Sequence, residues 1–155
     1  MSLLLSGLFV QFWYDSWMVI TMCGSIKFMD EMIELQKQLE AAGHTVYMPI
    51  KADGVDYWAE DGTSRVEAKR EQDLISKHMD KIQKSDAILV ANYTKRDIEK
   101  YVGANTFAEM MYAHYVKKNI YMLNPKPDQP YIRDELDSMD IVLLDGDLST
   151  LTQKP

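Results

Sequence analysis

The sequence is short of cysteine, of glycine-rich phosphate-binding patterns and of basic charge, and each shortage removes a class of protein. Cys23 is the only cysteine, so there is neither a disulfide framework nor a cysteine-based zinc cluster, and a lone thiol suits a reducing, cytoplasmic setting. The seven glycines form no Gly-x-Gly-x-x-Gly and no Walker pattern, which sets aside the dinucleotide and P-loop fingerprints. Lysine and arginine number 17 against 24 acids, a net charge of −7. No broad basic face is then available for a nucleic acid polymer or an anionic membrane surface, and any anionic ligand must be met by a local site. A membrane span needs about 20 apolar residues, and the most apolar stretch, at the N-terminus, is interrupted by Gln11, Asp15 and Ser16.

What is present is the balance of one soluble globular domain, with 155 residues, 46% hydrophobic and 26% charged. At this size folding buries roughly two thirds of the unfolded surface, enough for one core without staples. Residues 1–17 do not read like the rest: they carry one charge, Asp15, and lack both the basic start and the small-residue cleavage site of a secretory signal. We expect them to be an apolar extension ahead of a domain spanning 18–155.

From Met18 onward, strand and helix patterns alternate. Met18–Cys23 is an apolar, β-rich run that ends at Gly24-Ser25, and a helix is expected from Phe28 to Ala42, closed by Gly43. His44–Met48 reads as a second strand and 50–64 as a long loop. Leu74, Ile75, Met79 and Ile82 recur on one side of an expected helix from Arg65 to Lys84. Asp86–Ala91 is the clearest buried strand. After an irregular connection over 92–104, Asn105 is placed to cap a helix through Lys117 or Lys118. Ile120–Leu123, a short helix near Ile132–Met139 and Ile141–Leu144 complete the pattern. The expectation is a single α/β domain of flavodoxin-like or Rossmann-like, doubly wound form, with five parallel strands in the order 2-1-3-4-5.

In such a sheet, ligands bind at the carboxyl ends of the strands where the winding reverses. The turn at Gly24, Ser25 and Ile26 then faces the segment that holds Asn92, Gly103, Asn105 and Glu109 across one crevice, and these six besides Glu109 are the expected substrate contacts. Glycine permits close backbone approach, and N–H groups at a helix start favour oxyanions. The helix NTFAEMMYAHYVKK is apolar around nearly its whole circumference, so it should be buried on more than one side and pack against a second subunit, as in a homodimer or higher homo-oligomer. Within it Glu109 is the only acid between Glu99 and Asp128. A carboxylate there is costly unless it is paired or has a task, and burial raises its pKa.

These residues carry a resemblance. Cys23-Gly-Ser-Ile26, the Ser85-Asp-Ala-Ile-Leu-Val90 strand, and Gly103-Ala-Asn-Thr-Phe-Ala-Glu109-Met-Met-Tyr-Ala113 followed by Lys118-Asn-Ile-Tyr121 resemble the nucleoside 2-deoxyribosyltransferase superfamily. That superfamily includes the 2'-deoxynucleoside 5'-monophosphate N-hydrolases. The resemblance implies an enzyme, without cofactor or metal, that cleaves the N-glycosidic bond of a nucleoside or its 5'-monophosphate. A glutamate at the position of Glu109 is implied to attack the anomeric carbon, giving a covalent glycosyl-enzyme that water or a second base resolves. The small-molecule partner is a nucleoside or nucleotide.

Two departures from the family pattern stand out. Small residues on either side of the nucleophile are replaced by Phe107 and Met111, and counting back from Asp86 to the family's catalytic aspartate lands on His78. Histidine titrates near neutrality and could protonate a leaving base, or a helix slip could bring Asp80 to that place. Lys95, Arg96 and Lys100 form a basic cluster that could meet a 5'-phosphate, and Tyr57 and Trp58 could stack on a base or anchor their loop. The alternative function is a non-catalytic nucleotide-binding or sensing module of the same fold.

Overall fold

The computed structural model describes residues 17–152. The expected extension at 1–17 lies outside the described residues except for Trp17. Five strands build the sheet: β1 (Val19–Cys23), β2 (Thr45–Tyr47), β3 (Ala87–Val90), β4 (Asn119–Met122) and β5 (Ile141–Leu143). They run parallel in the order β2-β1-β3-β4-β5, as the alternation of elements predicts. In the central pair, Ile20 stands opposite Ala87 and Cys23 opposite Val90. All four residues of β3 are buried, which is what a strand covered on both faces requires and why it reads as an unbroken apolar run. The edge strands β2 and β5 have three residues each, short enough to limit unwanted pairing.

Side chains alternate between two cores. Ile20, Met22 and Leu89 meet Met32, Leu35 and Leu39 of α1 (Met29–Ala41) and Leu151 of α6 (Ser149–Thr152). Cys23, Ile88 and Val90 meet Ile82 of α3 (Leu74–Gln83), Met110 and Ala113 of α4 (Ala104–Tyr115) and Leu136 of α5 (Arg133–Ser138). Cys23 therefore points toward α3 and α4, the helices that carry His78 and Glu109.

Three local expectations are corrected. The helix expected over Arg65–Lys84 is two helices, α2 (Thr63–Glu71) and α3. Asp73 between them adopts φ +49°, a left-handed turn that aspartate tolerates better than most residues. No glycine or proline marks the break. Its consequence is that α2 leaves the line of α3 and brings Arg65 and Lys69 over the crevice. Asn105 does not cap α4; Gly103 occupies that place, and Asn105 sits in the first turn with its amide free to reach Glu109. Ile141–Leu144 does not complete the pattern: the chain runs on through 145–148 into the short α6.

The apolar circumference of α4 is only partly buried: Met110 and Ala113 are inside, whereas Met111 and Tyr115 are exposed. No helix among the described residues is long and apolar enough to cross a membrane.

Candidate functional site

A pocket opens at the carboxyl ends of β1 and β2, faced by α4, the helix that follows β3. Gly24 and Ile26 of the first turn form one wall, with Ile50 and Tyr57 from the loop after β2. Arg65 and Lys69 of α2 and Ile75 and His78 of α3 form a second, and Asn105 and Glu109 of α4 complete it. Glycine at 24 answers a packing need: an added Cβ would lie 3.2 Å from the Ala91 carbonyl oxygen and 3.1 Å from Met32 Sδ. The turn thus presses on the end of β3 as well as lining the pocket. Tyr57 is tied down by its hydroxyl, which accepts from the Ala52 N–H at 2.9 Å, while Trp58 is exposed with Lys27 Nζ 4.4 Å from its ring centroid.

Glu109 is 4% exposed. Asn105, one turn earlier on α4, donates from Nδ2 to Glu109 Oε1 at 2.6 Å. His78 Nε2 lies 3.7 Å from the same oxygen and 3.7 Å from Cys23 Sγ. Burial pushes the Glu109 carboxyl up to about 7, against the pull of Cys23, Asn105 and the charge of Lys69. Burial, joined by the charge of Lys81, pushes His78 down to about 4. The Cys23 thiol is pushed up by burial and then by Glu109, so it stays protonated at neutral pH. The trio at pH 7 is thus a thiol, a neutral imidazole and a carboxyl poised at its midpoint.

Cys23, His78 and Glu109 each offer one ligand atom within 4.8 Å of the others, a donor set that could take a soft divalent cation. The buried His78 Nδ1 has no hydrogen-bond partner at full bonding distance among the described residues.

The structure sorts the residues singled out from sequence. Gly24, Ile26, His78, Asn105 and Glu109 come together in the pocket. Ser25 does not line it; its hydroxyl accepts from the Lys27 N–H at 3.4 Å and caps a turn of 3-10 helix. Asn92 is fully buried and braces β3 against β4: its amide donates to the Asn124 and Pro125 carbonyls at 3.2 and 3.0 Å, and its Oδ1 accepts from the Asn124 N–H at 2.9 Å. Gly103 caps α4, packed against the Tyr101 ring. Neither Asn92 nor Gly103 lines the pocket. Asp80 is on the exposed face of α3, two residues beyond the inward-facing His78, so no helix slip brings it to Glu109. Sequence reading missed Arg65 and Lys69. Their i, i+4 spacing on one helix face was a signal, but the left-handed turn at Asp73 decides where that face points.

No protein-family model matches the chain, and no curated protein matches it. A solved structure of a 2-deoxyribosyltransferase from the psychrotolerant bacterium Bacillus psychrosaccharolyticus shares the fold. Its TM-score is 0.50, over 88% of this chain and 98% of that one, at 14% identity. The likeness is one of fold, and that fold is the one the sequence resemblance implies.

Proposed function

We propose that the protein breaks the N-glycosidic bond of a (deoxy)nucleoside or nucleoside 5'-monophosphate, hydrolysing it or passing the sugar to a second base, with Glu109 as the nucleophile. The observation that carries this reading is one carboxylate, buried in the wall of the pocket and held there by Asn105. The shared fold with a 2-deoxyribosyltransferase supports it.

Asn105 and His78 both stand at Oε1, which leaves Oε2 for the anomeric carbon. In the first step an Oε2 lone pair forms the bond to C1' while the C1'–N bond breaks, and its electrons leave with the base, which takes a proton from solvent. In the second step water or another base displaces the glutamate and restores the carboxylate. Poor solvation keeps the anion reactive, and the Asn105 amide fixes its direction. His78 is a positioning residue here. With its imidazole held neutral down to about pH 4, it does not supply the leaving base with a proton at neutral pH, contrary to the role expected from its ordinary pKa.

A nucleotide-binding or sensing module is the second reading. It is favoured by one observation: among the described residues no second acid lines the pocket with Glu109, since Asp80 is turned outward and His78 is neutral. Incubation of the wild type and Glu109→Gln with deoxynucleosides and their 5'-monophosphates, followed by chromatography of the free base, separates the two. Base release by the wild type alone supports the enzyme. Thermal stabilisation of both proteins with no base released supports the binding module, and equal turnover by both overturns the role of Glu109.

A further inference from the structure

Beyond Arg65 the pocket gives way to a second cleft of about 530 Å³, within the roughly 300–1,000 Å³ range of small-molecule sites. Four cations line it: Lys27 from the turn after β1, Arg65 from α2, and Lys95 and Arg96 from the connection after β3. Lys27, Arg65 and Lys95 are half-buried, and Arg96 is exposed with φ +53°. Among the described residues none of the four has an ion pair.

Each half-buried cation is instead aimed by uncharged neighbours. Arg65 Nη1 donates to the Ala59 carbonyl at 2.6 Å, Lys27 Nζ rests over Trp58, and Lys95 Nζ lies 4.5 Å from the Tyr101 ring centroid. Two acids, Glu60 and Asp97, share the lining, but both are exposed and neither pairs with a cation. In a protein of net charge −7, four like charges gathered in one cleft are unfavourable unless an anion joins them. Burial lowers the pKa of both lysines, and the neighbouring cations lower it further, so the cluster repels itself when empty.

We propose that this cleft is a polyphosphate subsite, and that the ligand of the Glu109 pocket carries at least two linked phosphates, as in a nucleoside 5'-diphosphate, a triphosphate or a dinucleotide. The nucleotide identity rests on the reading of the Glu109 pocket given above. Arg65 lines both cavities, and with Lys69 it stands where a first phosphate would leave the pocket. Lys27, Lys95 and Arg96 lie past that point. A first phosphate beside Arg65 and Lys69 leaves Lys27, Lys95 and Arg96 without an anion, whereas a second phosphate in the cleft would meet those donors in charge-assisted hydrogen bonds.

Calorimetric titration of Glu109→Gln, which retains the cleft, tests this with inorganic phosphate, pyrophosphate and tripolyphosphate, and with one nucleoside and its 5'-mono-, di- and triphosphates. We expect pyrophosphate to bind about tenfold or more tightly than phosphate, and the diphosphate to exceed the monophosphate by a similar factor. Lys27→Ala/Lys95→Ala should remove that gain without changing affinity for the free nucleoside. Arg96→Ala, at an exposed position, should reduce it if the double variant does not fold. Equal affinity for phosphate and pyrophosphate, or a gain retained in these variants, overturns the subsite. A gain for the inorganic ions without one for the nucleotides overturns the coupling to the Glu109 pocket. Base release is scored separately, so failure of the catalytic reading leaves a different signature.

Discussion

On one side of Arg65 a carboxyl is buried, and on the other are cations that have no carboxylate partner among the described residues. The Glu109 pocket joins three groups that are neutral or half-ionised at pH 7, whereas the second cleft holds four cations against two exposed acids. The contrast separates two tasks. Bond breaking at an anomeric centre gains from a nucleophile that is poorly solvated and fixed in direction, since the environment need not reorganise during the step. Recognition of a phosphorylated group gains from exposed positive charge, which draws the ligand in and is released from self-repulsion when it arrives.

The sharpest way to break this division is to remove the carboxylate. Glu109→Gln should lower base release by about a thousandfold or more while leaving polyphosphate affinity intact, as read by product chromatography and calorimetry on one preparation. The same variant should be the more stable protein at high pH. The Glu109 carboxyl is raised to about 7 in the fold from an ordinary 4.5, so the fold favours its protonated form. Stability is then lost as pH rises from about 4.5 through 7 in the wild type, and glutamine, which cannot ionise, removes that slope. Melting temperatures that differ between the two proteins at pH 8 and converge near pH 4 are expected. The groups facing the carboxyl are Cys23 on β1, Lys69 on α2, His78 on α3 and Asn105 on α4, and none of them reverses the sign.

Next in size is Asn105→Ala. Loss of the 2.6 Å hydrogen bond removes a group that favours the ionised form, so the midpoint of the pH–rate profile should move up. The rate at pH 7 should fall by about 10- to 100-fold. Gly24→Ala acts on the shared frame of both cavities: a Cβ at 3.2 Å from the Ala91 carbonyl should cost about 1–3 kcal/mol, seen as a lower denaturant midpoint with an unchanged slope. Smallest is Asp80→Asn. With its side chain facing solvent, turnover should stay within about twofold of the wild type, and a large loss would return Asp80 to the reaction.

Strand order and the place of the crevice were legible because buried parallel strands are nearly continuous apolar runs, as in Val19–Cys23 and Ala87–Val90, and because their alternation with helices leaves few topologies. Glu109 was legible as a lone acid on an apolar helix. The rest of the pocket was not, for reasons that lie in tertiary geometry. A left-handed Asp73 bends the chain where no glycine or proline announces it, and that bend delivers Arg65 and Lys69. Asn92 and Gly103 sit where a ligand contact was expected, but the segment after β4 and the start of α4 take up their polar groups. The end of a buried strand favours an inert thiol at Cys23, and its raised pKa agrees, yet its side chain faces the helices that carry His78 and Glu109.

The central claim is a covalent bond between sugar and Glu109. Its most direct test is mass spectrometry of the protein quenched and digested during turnover of a 2'-fluoro-2'-deoxynucleoside or its phosphates, in which fluorine slows release of the glycosyl-enzyme. A sugar adduct is expected on the peptide that contains Glu109, absent from Glu109→Gln. Free base released with no adduct at Glu109, or an adduct on another residue, would contradict it.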